Sequence, residues 1–246
     1  MYPIAQLELL EIFNRYELKE QLEDFLIFGS YPEVITAKSR AGKISALEEI
    51  VDSYLLKDIL ALEKVKGSKI ILDLLKLLAF QVGNEVSLHE LAARIKLDVK
   101  TVDRYLDILE KAFVIKRVGG FSRNLRKEIT NKNKYYFLDN GIRNAVVSQF
   151  NKLDLRDDVG ALWENFIFVE RLKKRAYKNI SGMSYFWRTY DQKEIDLIEE
   201  REGRLFGYEI KWTAPKGIKP PKDWLATYKN ASYEVIHREN YLRFIV

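Results

Sequence analysis

Hydrophobic positions along the chain follow two periods. Through residue 66 the period is helical: Leu18 to Ile27 is amphipathic and is broken by Phe28-Gly29-Ser30-Tyr31-Pro32. Leu47, Ile50, Val51, Tyr54, Leu55 and Ile59 resume it over Ala46 to Leu62. Ser68 to Val82 predicts a strongly apolar helix. Ser87-Leu88-His89-Glu90 has the S-x-x-E form of a capping box, in which each side chain satisfies the other's free backbone donor, and opens a helix over Leu88 to Ile95. Leu97-Asp98 makes a turn, and Val99 to Ala112 predicts a further helix with Val102, Tyr105, Leu106 and Leu109 facing inward. Strands are predicted at Phe113 to Val118 and Tyr135 to Leu138, separated by Gly119-Gly120 and a basic loop.

The last ninety residues change period. A helix is predicted over Trp163 to Lys174, with Glu164 in its first turn, and a strand over Met183 to Arg188. Glu194 to Glu199 and Leu205 to Trp212 alternate polar and apolar, the signature of half-buried strands. Pro220-Pro221 precedes a helix over Lys222 to Lys229, and Tyr233 to Ile236 is a further strand. The expected fold class is α/β (α+β) in three parts. Residues 1–66 form a helical linker. Residues 67–150 have the order of a winged helix-turn-helix: helix, helix, turn, helix, two-stranded wing. Residues 155–246 form an αβββαβ domain.

The second strand pair carries the candidate chemistry. Glu202-Gly203 suits a two-residue hairpin turn, because glycine takes positive φ without strain. That turn sets Asp196 opposite Glu209 and Glu194 opposite Lys211, with directly opposite Cβ atoms roughly 4.5–5.5 Å apart. Two carboxylates held that close repel unless a cation or proton lies between them. Mg²⁺ prefers one or two carboxylates plus waters and phosphate oxygens, so the pair is a candidate Mg²⁺ site. The opposite face of the second strand, Phe206, Tyr208, Ile210 and Trp212, is expected core. The competing reading is that these charges are the wet face of a sheet.

Composition narrows the classes. The 246 residues suit one large domain or two to three small ones, and 47% hydrophobic with 13% aromatic residues is enough for packed cores. Cysteine is absent, which removes disulfide frameworks and thiolate zinc sites and fits a reducing cytoplasm. His89 and His237 are the only histidines, too little material for a histidine metal centre or a Ser-His-Asp triad. No apolar run reaches membrane-spanning length, and the N-terminus lacks a signal-peptide pattern.

Charge is uneven. Residues 1–75 hold 9 Lys/Arg against 13 Asp/Glu, net −4, so the remainder is net +9. From Lys111 to Lys134 the basic residues outnumber a single acid, Glu128. Such a cluster can follow a phosphate backbone, so the expected partner is nucleic acid, with DNA favoured. In a winged-helix reader, Lys100, Thr101 and Arg104 would meet the groove from the third helix. Arg117, Arg123, Arg126, Lys127 and Lys132 would meet phosphates from the wing. Asp103 and Asp107 dilute that face, and many winged helices serve instead as docking or dimerisation modules.

Asp196, twelve residues, Glu209, one residue, Lys211 is the spacing of the PD-(D/E)xK nuclease superfamily, and αβββαβ is its common core. Ile195 stands where the superfamily's name has proline. A narrower likeness runs through FGSYPEVI (28–35), YLLKDIL (54–60), TVDRYLDILEKAFVI (101–115), KYYFLDNGIRN (134–144), GALWENFIFVERL (160–172) and FWRTYDQKEIDLI (186–198). In these stretches the chain resembles the C-terminal part of a bacterial and archaeal family of AAA-type ATPases, the part labelled domain of unknown function 4143.

That resemblance implies a P-loop ATPase domain in front of a winged helix and a nuclease-like domain. No G-x-x-x-x-G-K-[ST] occurs; Ala41-Gly42-Lys43-Ile44 lacks the earlier glycine and the Ser/Thr, so no phosphate-cradling loop can form. The chain, a truncated piece or a natural remnant, is therefore not expected to hydrolyse ATP by itself. An ATPase domain becomes an implied partner, docking on residues 1–66. By position, the resemblance implies Asp196 and Glu209 as Mg²⁺ ligands, with the Ile210 carbonyl as a third oxygen. Lys211 would orient or deprotonate water, or stabilise phosphate charge, unless it pairs with Glu194. Glu164 would be an outer-shell or second-metal ligand. The two expected functions are a Mg²⁺-dependent DNA nuclease and a non-catalytic interaction module on an inactive nuclease scaffold.

Overall fold

A computed structural model describes residues 2–55, 68–123, 132–214, 217 and 219–246. The chain opens with short helices: α1 (Gln6–Leu9), α2 (Arg15–Glu20), α3 (Leu22–Phe28), α4 (Pro32–Thr36) and α5 (Arg40–Glu49), the last widening into a π-type turn over Ile50–Leu55. Asn14 caps α2 with a reciprocal box: its side chain accepts from the backbone of Tyr16 and Glu17, and Glu17 accepts from Asn14. The single helix expected from Leu18 to Ile27 is two, because Gln21 (φ −84°, ψ 1°) leaves helical geometry between α2 and α3. The far end of the helix expected to Leu62 lies outside the described residues.

The middle of the chain forms α6 (Ser68–Ala79), β1 (Glu85–Val86), α7 (Leu88–Ile95), α8 (Val99–Lys111), β2 (Ile115–Gly119), β3 (Asn133–Phe137) and α9 (Asn140–Val146). The helix starts are where the sequence puts them. Only half of the expected capping box forms at α7. Ser87 accepts from the Glu90 backbone at 3.4 Å, while Glu90 turns to Arg94 at 3.0 Å. The two-residue β1 is too short to show a period; it pairs with β3 and gives an antiparallel sheet of order β1-β3-β2.

The last third runs α10 (Val159–Tyr177), β4 (Met183–Arg188), β5 (Glu194–Arg201), β6 (Arg204–Ile210), α11 (Lys222–Thr227), β7 (Ser232–Ile236) and α12 (Tyr241–Ile245). The sheet order is β4-β5-β6-β7, antiparallel except that β7 runs parallel to β6. The overall class is mixed α/β. Glu202 (φ 50°) and Gly203 (φ 73°) both take positive φ between paired Arg201 and Arg204, the type I′ geometry that matches strand twist. Leu197 opposes Tyr208 in the register expected from that turn.

This sheet has no wet face. Leu197, Tyr208 and Ile210 pack with Trp163, Phe166 and Ile167 of α10, and Trp187, Ile195, Ile198 and Leu205 pack with Trp224, Tyr228 and Phe121 on the other side. The polar half of the β5 alternation is therefore taken into the protein with its partners. Glu199, wholly buried, accepts two hydrogen bonds from Arg171 of α10 at 2.7 and 2.8 Å.

The N-terminal helices expected as a linker are part of both cores. Leu9, Leu18, Leu22, Phe25 and Leu26 pack with α10 and the four-stranded sheet, whereas Ile27, Phe28, Val34 and Leu47 pack with α6–α9. The sheets also touch directly, where Phe121 donates its backbone N–H to Phe186 in β4 at 2.7 Å.

The segment 137–144 ties these parts together. Asn144 donates to the carbonyls of Leu26 and Ile27, Arg143 donates to the Ala79 carbonyl at the end of α6, and Asp139 accepts from Ser30. Gly141 allows the approach: a Cβ there would lie 2.1 Å from the backbone oxygen of Phe28. Gly141→Ala must push α3 and α9 apart, a loss of at least about 2 kcal/mol on the scale of overpacked cores. Denaturant unfolding of the variant against wild type checks this, with a surface Ala substitution as control.

Candidate functional site

The hairpin β5–β6 brings its two acids to one cation. Asp196 is buried, and its Oδ2 accepts the Ile210 backbone N–H at 2.7 Å. The Lys211 ammonium lies 2.6 Å from Glu209 Oε1 and 3.7 Å from Asp196 Oδ2. Tyr233 of β7 also hydrogen-bonds Glu209. Lys211 does not pair with Glu194 as the hairpin register suggested. β6 ends at Ile210, and the Lys211 N–H bonds the Ile236 carbonyl of β7 at 2.9 Å, which carries the lysine away from the β5 partner line.

Glu194 meets a different lysine. Lys134 of β3, its side chain 1% exposed, binds Glu194 Oε1 and lies 3.5 Å from Glu164 Oε1. Tyr136, two residues along β3, donates its hydroxyl to the same Glu164 oxygen at 2.7 Å. Glu164 reaches this point from the second turn of α10, which begins four residues before the expected start. Gly83 (φ +77°) closes the other side: a Cβ there would stand 2.8 Å from Glu164 Oε2. Arg188 lies at the rim, 3.4 Å from Glu85 and 3.9 Å from Glu194.

Glu164, Glu194, Asp196 and Glu209 thus outnumber the two lysines among them. Burial pushes the Glu164 carboxyl up to about 7; Lys134 opposes the shift and the Asp196 charge adds to it. Burial and then Asp196 raise Glu209 as well, against Lys211. Burial alone would lower both lysines, but Glu164 and Glu194 around Lys134, and Asp196 and Glu209 around Lys211, more than reverse it, and both are raised. Among the described residues no group of three or more histidine, cysteine or carboxylate side chains is arranged to hold a metal. A divalent ion needing only Asp196 and Glu209, with water completing its shell, fits both the donor chemistry and the surplus of negative charge.

The expected nucleic-acid residues differ in their surroundings. Lys100 and Arg104 are exposed on α8, but Thr101 is locked into the helix cap, donating its hydroxyl to Asp98 at 2.7 Å. Arg117 is held by Asp103 at 3.0 Å and Asp107 at 2.9 Å. Arg123 pairs with Glu200 and Lys132 with Glu85. Arg126 and Lys127 lie outside the described residues. The residues that sequence reasoning missed are Lys134, Tyr136, Tyr233 and Gly83. Lys134 falls within the basic run, and its place at the head of Tyr-Tyr-Phe-Leu is the single signal that it enters a core.

The chain belongs to the family described as domain of unknown function DUF8612, whose model matches residues 19–154. A second model, domain of unknown function DUF4143, matches residues 159–242. The DUF4143 label expected for the whole chain therefore applies to its last third, while Gly83, Lys134 and Tyr136 come from the first region. The chain is 28% identical over 192 residues to an uncharacterized protein of Mycobacterium tuberculosis, covering 77% of this chain and 43% of that protein. It is 25% identical over 226 residues to one of Haemophilus influenzae (88% and 53%), and 25% identical over 208 residues to one of Methanocaldococcus jannaschii (81% and 44%). The chain spans about half the length of the curated relatives it matches. No solved structure matches. Among the described residues no helix is long and apolar enough to cross a membrane.

A carboxyl with its folded pKa raised binds a proton that the unfolded chain has already released. Stability is then lost as pH rises from the unfolded value near 4.5 to about 7, at up to about 1.4 kcal/mol per pH unit, and is level above. Glu164→Gln is expected to flatten that fall, which thermal unfolding of both proteins between pH 4.5 and 8 measures.

Proposed function

We propose that the cluster is the site of a Mg²⁺-dependent nuclease of the PD-(D/E)xK type, hydrolysing phosphodiester bonds in nucleic acid, DNA first. The observation that carries this reading is the convergence of Asp196 and Glu209 on the Lys211 ammonium, on a hairpin inside an αβββαβ unit. Asp196 and Glu209 would hold the ion, which when bound polarises a phosphoryl oxygen and lowers the pKa of a coordinated water. The Ile210 N–H fixes the Asp196 carboxylate on the strand. Lys211, with its pKa raised, keeps its proton. Beside the Asp196 and Glu209 carboxylates it would serve as a hydrogen-bond donor to phosphate and water, and an ion that neutralised them would lower its pKa toward that of a base.

The middle region supplies the substrate-binding half. Three helices whose first and second are separated by the short strand β1, and whose third leads into β2 and β3 of the same sheet, support a winged helix-turn-helix, and exposed Lys100 and Arg104 on α8 give it a face for phosphate. Arg117 bridges Asp103 and Asp107 on that face and offsets one of their two charges. An ATPase domain is the proposed partner, in keeping with relatives about twice as long as this chain.

A second reading has its own observation. Lys134 and Lys211 already occupy carboxylate oxygens, as a silent scaffold would require. Plasmid and single-stranded DNA incubated with Mg²⁺ or Mn²⁺ separate the two. The nuclease reading expects cleavage that falls by at least about a hundredfold in Asp196→Ala, the upper end of what loss of a mere outer-shell partner costs. No cleavage by the wild type, with salt-sensitive DNA binding retained, leaves a non-catalytic DNA-binding module.

A further inference from the structure

We infer that Lys134 is a built-in cation of the site: its ammonium takes the place of a second metal ion, so the four-carboxylate cluster accepts one divalent cation. The inference rests on the metal reading above and specifies how the cluster is divided.

The geometry splits the acids into two sets. Asp196 and Glu209 share the Lys211 ammonium, which is 43% exposed and can swing aside. Glu164 and Glu194 share Lys134, whose side chain is 1% exposed and has no such freedom. The Lys134 ammonium also lies over the Phe186 ring, 5.4 Å from its centre, so an aromatic face adds to its stabilisation. Glu164 is held at one oxygen and closely approached at the other. Oε1 accepts from Tyr136 and faces Lys134, and Oε2 lies where only glycine at position 83 leaves room, since a Cβ there would stand 2.8 Å from it.

An ammonium offers three donors and one positive charge without needing a hydration shell, so it can satisfy carboxylates from a position that is itself buried. Mg²⁺ or Mn²⁺ in the same space would have to shed waters it holds tightly. The cation comes from β3, in the region matched by DUF8612, and the acids come from the region matched by DUF4143. Lys134 is thus a positioning residue that completes the site from the other side of the molecule.

Mn²⁺ binding to the whole chain tests this, with free Mn²⁺ counted by electron paramagnetic resonance. Wild type is expected to bind one ion per chain and Lys134→Ala two, the second on Glu164 and Glu194 with its water in the space the lysine side chain vacates. Asp196→Asn should remove the first ion. Glu164→Gln, which does not require burying a new apolar group, should shift the affinity of the first ion by less than about tenfold, the low end for losing a group that supports a ligand. A wild type that binds two ions, a folded Lys134→Ala protein that still binds one, or a loss of tenfold or more in Glu164→Gln overturns the inference and leaves the metal reading standing. A folded wild type that binds no ion overturns both.

Discussion

The architecture depends on a buried polar hub around α9. Its members come from every part of the chain: the α3 carbonyls on Asn144, the Ala79 carbonyl on Arg143, the Ser30 amide on Asp139, and the Phe137 backbone bonded at both N–H and C=O by Asn165 of α10. Helix ends leave backbone groups unpaired, and burying them without partners costs more than an ordinary hydrogen bond gains. The hub satisfies several such ends at once, so the N-terminal helices, α6, β3 and α10 have one mutual arrangement. A purely apolar junction could slide; this one has directional bonds that fail together.

That fixed arrangement makes the carboxylate–lysine cluster possible. β3 leads directly into the hub, and α10 is held to it through Asn165. Lys134 and Tyr136 therefore face Glu164 at hydrogen-bonding range rather than across a flexible boundary. An isolated C-terminal unit would expose Glu194 and Glu164 without their lysine. The cluster is a property of the junction between the two family regions, although every acid in it belongs to one of them. Breaking a buried pair by removing one partner is costly, which gives the cluster a structural role.

Much of the candidate site was legible before any coordinates. The type I′ turn at Glu202-Gly203 fixes the β5–β6 register, and the register brings Asp196 and Glu209 to the same cation. Less was legible wherever the alternation was taken to mean solvent. Glu199 and Asp196 look like wet-face residues, yet Arg171 and the Ile210 amide meet them inside the protein. A period-2 pattern reports that alternate positions differ, and says nothing about whether the polar set faces water or a partner.

By itself the sequence determined what is local. It set most helix starts, from caps such as Ser87, and the αβββαβ order, because these depend on residues a few positions apart. Only the tertiary structure decided which lysine meets which acid. Lys211 is the neighbour in sequence, but Glu194 is taken by Lys134, 60 residues earlier, and Glu164 by the same side chain 30 residues away. Tertiary packing also drew the expected linker into the core. Such pairings are set by how whole elements pack, and no short window of sequence contains both partners.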